Sequence, residues 1–145
     1  MAQAIIATIT DTARSKFADM LQVGRAFTIV DFTTGEGGHD PGDPAIALTP
    51  DPTATSLPLE SFGPKSIASK TLISPFCVEY LCGLDALEAV GPLSNIGLWA
   101  EFTYSPIPGD TMVTNRERFL FAIANFPLIV KTDAETRSIS IQVNY

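Results

Sequence analysis

The sequence predicts an α+β fold: a mainly antiparallel β domain with one N-terminal amphipathic helix and a long Pro/Gly-rich loop. Three observations carry that prediction. Two strand-like apolar runs, Ser94–Phe102 and Phe119–Lys131, flank a polar connection that contains Pro and Gly. Ile139, Ile141, Val143 and Tyr145 alternate with Ser138, Ser140, Gln142 and Asn144, the pattern of a half-buried strand. Near the N-terminus, Ala13, Phe17, Met20 and Leu21 fall instead at helical spacing.

Taken in order, Ala4–Thr10 reads as a short strand because Ile5, Ile6 and Ile9 are β-branched. A helix over about 11–23 follows, capped by Thr10 or Asp11 and stopped by Gly24. Ala26–Thr33 is a strand with Phe27, Ile29 and, less cleanly, Asp31 on one side and Thr28, Val30 and Phe32 on the other. From about 34 to 64 the chain reads as one irregular loop, with six of the eleven prolines, five of the ten glycines, five acids and no Lys or Arg. Loops of that length are functional or mobile, and one way to order this one is to lay it against a neighbouring chain. From about 65 to 145 strands dominate: Lys65–Ile73, Phe76–Cys82, the two central runs and Ser138–Tyr145, with a connection at Gly83–Pro92 that has room for a helical turn.

The 145 residues make one domain, 1–145, large enough to bury a core without metal or disulfide staples. Only 17% of residues are charged, against about 25% in typical domains. The surface is therefore rich in Ser, Thr and Asn or partly covered by other subunits, and we favour the covered surface. A net charge of −7 with nine scattered basic residues excludes a duplex-binding face. The first ten residues lack a basic n-region and their apolar run is too short for a span, which predicts a soluble protein made in a cytoplasm, with no membrane partner.

Candidate chemistry is sparse. Cys77 and Cys82 are five apart, so on a strand they point to opposite faces and cannot bridge; they read as buried thiols. The single His, His39, sits in the loop, distant from both, so no zinc set forms. A Ser-His-Asp arrangement would have to recruit that same His39, and no Gly-x-Ser-x-Gly elbow presents a serine. The acids mark out no glycosidase pair. Gly35–Asp43 lacks the Gly-Lys-Ser/Thr of a phosphate loop and the spacing of an EF-hand, although Glu36, Asp40 and Asp43 leave a calcium loop as an alternative to a solvated turn. Trp99 lies on the opposite strand face from Ile96, Leu98, Ala100 and Phe102, which suits a strand sandwiched between layers or subunits better than an open sugar platform. No enzyme, cofactor or metal site is predicted.

Four motifs, Thr10-Asp-Thr-Ala-Arg14, Phe27-Thr-Ile-Val-Asp-Phe-Thr-Thr-Gly-Glu-Gly-Gly38, Ser94-Asn-Ile-Gly-Leu98 and Phe121-Ala-Ile-Ala-Asn-Phe-Pro-Leu-Ile-Val-Lys131, resemble in order the N-terminal domain of bacteriophage tail-collar fibre proteins, which attaches a fibre to the baseplate. Trp99-Ala-Glu stands where that family has Phe-Asp, and fibres continue into a shaft where this sequence stops at Tyr145. The resemblance implies a stand-alone virion adaptor of the tail or baseplate, synthesised in the bacterial host cytoplasm, trimeric, with fibre or tail proteins as partners. Trp99, Phe102, Tyr104, Phe119, Phe121, Tyr145 and the 34–64 loop are the expected interface residues. The alternative is a carbohydrate- or receptor-binding β-module, with or without calcium, using Trp99 and the acidic loop; a small hydrolase ranks third.

Overall fold

Local chemistry sets the first elements of the computed structural model, which describes residues 4–145. Strands β1 (Ile5–Ile6) and β2 (Thr8–Ile9) lead into helix α1 (Asp11–Val23). Thr10 caps the helix, its Oγ1 accepting from the Ala13 N–H at 3.1 Å and donating to the Leu120 carbonyl at 2.6 Å. Gly24 ends it in the left-handed region, φ 88°, and donates its N–H to the Met20 carbonyl. Both caps follow the sequence reading. The apolar stripe is narrower than predicted: Ala13 is buried and Phe17 and Met20 half-buried, but Leu21, roughly 100° further round, stands in solvent.

The remaining elements are β3 (Ala26–Gly35), β4 (His39–Asp40), β5 (Asp43–Ala47), β6 (Glu60–Ser66), β7 (Ser69–Ser74), β8 (Cys77–Leu84), β9 (Gly91–Tyr104), α2 (Thr111–Thr114), β10 (Arg118–Lys131) and β11 (Arg137–Asn144). Five strands form one antiparallel sheet in the order β2-β10-β9-β3-β6. Four form a second, β1-β11-β8-β7, antiparallel except that β1 runs parallel to β11. The alternation of β11 places Ile139, Ile141 and Val143 in the core, where they join Tyr80, Cys82 and Leu84 of β8 and the apolar face of β9. One core cluster thus joins the two sheets, as burial of one face of each requires.

Several expectations are corrected. The 34–64 segment is not one irregular loop, because β3 runs on to Gly35, β4 and β5 pair with each other, and β6 joins the large sheet at its edge. The predicted strand 65–73 is broken at Ile67-Ala68, where the chain leaves one sheet and enters the other. Residues 85–90 form a turn closed by Glu88 N–H to the Asp85 carbonyl, not a helix, and Asp110 caps an unpredicted helix, α2, in the polar connection.

The centre of the large sheet carries two bulges. Opposite β9, β3 is irregular between Ile29 and Asp31, and β10 between Leu120 and Ala122. Each extra residue reverses which face the following side chains take. Phe32 therefore lies beside Leu98 in the core, on the same side as Ile29, while Asp31, Trp99 and Leu120 line up across the opposite, outer face.

Candidate functional site

The outer face of the five-stranded sheet is where polar and apolar groups converge. On β9 it presents Asn95, Gly97 and Trp99; on β10, Leu120, Ile123 and Asn125; on β3, Asp31 and Thr33. Residues 48–59 cross this face as a strap. Leu57, 4% exposed, anchors it in a small cluster with Leu120 and Ile123, against which Trp99 and Ala54 pack. Five hydrogen bonds hold the strap backbone: Asn125 Nδ2 to the Leu48 carbonyl at 2.9 Å, the Leu48 N–H to the Gly38 carbonyl at 2.8 Å, the Asp11 N–H to the Pro52 carbonyl at 2.8 Å, Asn95 Nδ2 to the Pro58 carbonyl at 3.0 Å, and the Glu36 N–H to the Leu59 carbonyl at 3.2 Å. The long loop is thus ordered on the chain's own sheet, and the second layer that sandwiches β9 is this strap.

Next to the strap, the glycine turn is closed by contact. A Cβ on Gly38 would stand 2.0 Å from the Ser94 carbonyl oxygen, and one on Gly37 would stand 2.6 Å from that of Pro58, so only glycine fits either position. The Gly38 N–H donates to Ser94 Oγ at 2.8 Å, and His39 Nδ1 lies 2.9 Å from the same oxygen. This brings the single His onto a serine, as a Ser-His pair would require. Ser94 is buried and its oxygen already accepts the Gly38 N–H, so the pair pins β4 to β9 and presents no open nucleophile. Above it lies a cleft of about 410 Å³ walled by Leu48, Pro58, Leu59, Pro92 and Leu128, with Glu36 and His39 as its polar groups.

Trp99 is committed within the chain. Its Nε1–H donates to Thr33 Oγ1 at 2.9 Å, and the Arg118 guanidinium lies 5.4 Å from the ring centroid. Arg118 in turn makes a two-pronged pair with Asp31, one bond at 2.8 Å, and lies 3.5 Å from Glu101. The indole is therefore covered by a cation and by the Leu57 cluster. A second ion-pair group joins α1 to the α2 region: Arg25 meets Asp110 at 2.6 Å and Asp19 at 2.8 Å, and that guanidinium, with Ser105, holds the Asp110 carboxyl down at about 2.

Of the other expected interface residues, Phe102, Phe119 and Phe121 are interior. They belong to a ring cluster with Phe17 and Phe27, in which Phe27 and Phe119 are 5.2 Å apart. Side chains buried inside the chain itself are core, which corrects their assignment to an interface. Tyr145 closes the same cluster against Phe17 and Phe121, with its hydroxyl 2.8 Å from that of Tyr80; burial and this bond raise its pKa. Tyr104 is exposed at the end of β9. Cys77 and Cys82 are buried free thiols, and burial pushes Cys82 up to about 12. Among the described residues no three His, Cys, Asp or Glu side chains gather as a metal set; Asp40 and Asp43 instead accept from the backbone N–H groups of Gly42 and Ala45 in local turns.

Residues the sequence reading did not single out make up the other candidate surface. All of β7 is exposed at the open edge of the four-stranded sheet, with Leu72 at 69% and Phe76, in the turn to β8, at 70%. Asn95 and Asn125 were also missed, although an amide inside an otherwise apolar strand signals a buried group that needs partners.

Fold and surfaces together define a class: a two-sheet, mainly antiparallel β domain whose conspicuous features are a strapped sheet face and an apolar open edge. No protein-family model, curated protein or solved structure matches the chain.

Proposed function

We propose that this chain is a non-enzymatic structural protein of a phage tail or baseplate, an adaptor that attaches or forms the base of a tail fibre as a homotrimer and through contacts with neighbouring virion subunits. The observation that carries the assembly part is the β7 edge. A strand at a sheet edge offers unpaired N–H and C=O groups, and proteins that stay single blunt such edges with charge, Pro or cover. In β7 the one charged residue, Lys70, turns its ammonium onto the Ile29 carbonyl of its own chain, and Leu72, Ile73 and nearby Phe76 stand exposed. That edge suits pairing with another chain, and closed symmetry would leave none of the copies with a free β7 edge. The phage-tail part is supported by the resemblance of the motifs around Thr10, Phe27, Ser94 and Phe121.

Native mass across a range of concentrations tests the proposal, comparing the unaltered chain with Leu72→Lys. The expected result is a trimer that Leu72→Lys converts to a monomer that stays folded by circular dichroism, with a Tm lower by the stabilisation that assembly supplied and no longer dependent on concentration. A monomer at every concentration for the unaltered chain would overturn the homotrimer, and a trimer indifferent to Leu72→Lys would place the contact elsewhere than β7.

A further inference from the structure

Two of the contacts that hold the strap are half-made. Asn95 is fully buried, and its Nδ2 donates to the strap while its Oδ1 has no hydrogen-bond partner; Asn125 repeats the arrangement on the neighbouring strand, directly across from it. Both oxygens lie close over a glycine: a Cβ built on Gly35 would lie 2.7 Å from Asn95 Oδ1, and one on Gly38 would lie 2.9 Å from Asn125 Oδ1. A carboxamide facing an extended chain can give its N–H to a residue's carbonyl and take that residue's own N–H in return, because both point to the same side of a strand.

The strap cannot complete either exchange. At Asn95 the residue supplying the carbonyl is Pro58, which has no N–H. At Asn125 it is Leu48, whose N–H is already donated to the Gly38 carbonyl at 2.8 Å. Beyond these two residues the strap is tied by the Asp11 N–H to the Pro52 carbonyl and the Glu36 N–H to the Leu59 carbonyl, with Leu57 its one buried side chain and residues 49, 51, 53, 55 and 56 exposed.

We propose that the strap is a self-held occupant of a peptide-binding groove on the outer face of the five-stranded sheet, displaced by an extended segment of a partner protein. The partner segment carries backbone N–H groups where Pro58 and Leu48 offer none, and an apolar side chain for the Leu57 site between Leu120, Ile123 and Trp99. This rests on reading the chain as an assembly module, for which it supplies a second surface besides β7.

Trp99, the chain's single tryptophan, adjoins the Leu57 site and reports on the groove. The experiment uses the full chain carrying Leu57→Ala, with Leu57→Val as the milder variant should the first fail to fold. Two labelled synthetic peptides spanning residues 46–60 are titrated, one of native sequence and one with Pro58→Ala, which restores the missing N–H. Loosening the strap is expected to raise iodide quenching of Trp99. The Pro58→Ala peptide is expected to bind saturably and about tenfold or more tightly than the native one, as gaining a bond at a buried unpartnered oxygen implies. Asn95→Leu is expected to abolish that difference.

Trp99 quenching unchanged in both loosened variants, or no saturable binding of either peptide once the strap has lifted, would overturn the proposal. Equal binding of the two peptides would do so too, and would point instead to exchange of straps between copies. Peptide capture by a chain that stays monomeric sustains the groove and removes the trimer; a trimer that ignores both peptides does the reverse.

Discussion

Phe121 decides between an interface and a core reading of the aromatic residues. It is 1% exposed, and its ring lies 5.7 Å from Phe17, 5.9 Å from Phe27 and 6.0 Å from Tyr145, so Phe121→Ala empties the middle of a cluster that joins α1 to both sheets. Truncating a buried Phe costs about 3–5 kcal/mol, the lost transfer energy plus the cavity left behind. For 145 residues the unfolding entropy is roughly 0.3 kcal/mol/K, so a loss of about 4 kcal/mol lowers Tm by roughly 10–15 °C. Thermal unfolding followed by circular dichroism, with native mass measured on the same samples, reads both quantities. A fall of that size at constant oligomeric state is expected. Tm within roughly 3 °C of the unaltered chain, with assembly lost, would refute the core placement and return Phe121 to an interface.

Two further outcomes follow from the ionisable groups. Cys82, fully buried with its thiol pushed up to about 12, is expected to resist iodoacetamide in the native chain and to react in urea; mass spectrometry of the labelled peptides checks this, and native labelling at a rate like that of a free thiol would contradict the burial. Asp110 has a folded pKa of about 2, below the unfolded value of about 3.9, so the stability it contributes is fully present above roughly pH 4 and is lost as pH falls through 2; urea midpoints measured across that window should fall less steeply for Asp110→Asn than for the unaltered chain.

What the sequence made legible is what local rules determine. Thr10 and Gly24 bracket the helix because a hydroxyl and a left-handed glycine satisfy its end groups whatever the tertiary context. The alternation of Ile139, Ile141 and Val143 with polar neighbours identifies β11 because the strand is half-buried and carries no bulge against β8. Period-two reading fails where the period itself is broken. It set Phe32 opposite Phe27 and Ile29, whereas the bulge in β3 brings all three to the core side. In β10 the same device turns Ala122 and Ala124 inward and leaves Ile123 and Asn125 for the strap. The strap's resting place was not legible either. Its prolines announce an irregular path, but nothing in them specifies which surface that path covers, and Leu57 alone among residues 49–58 is an apolar side chain large enough to serve as an anchor.

The order β1-β11-β8-β7 has a consequence for synthesis on the ribosome. The large sheet can assemble most of its pairings once residue 131 has emerged, but in the smaller one β11 lies between β1 and β8, joining Ile5 to Ile141 and Ile141 to Tyr80. Until residues 137–144 leave the exit tunnel, β8 has a vacant flank, and Tyr80, Cys82 and Leu84 lack the strand that covers them. Contacts so distant along the chain form slowly. The nascent chain would therefore pass through an interval with two open apolar edges, β7 and β8, during which a chaperone, or a second nascent copy on the same message, has its best opportunity to engage it.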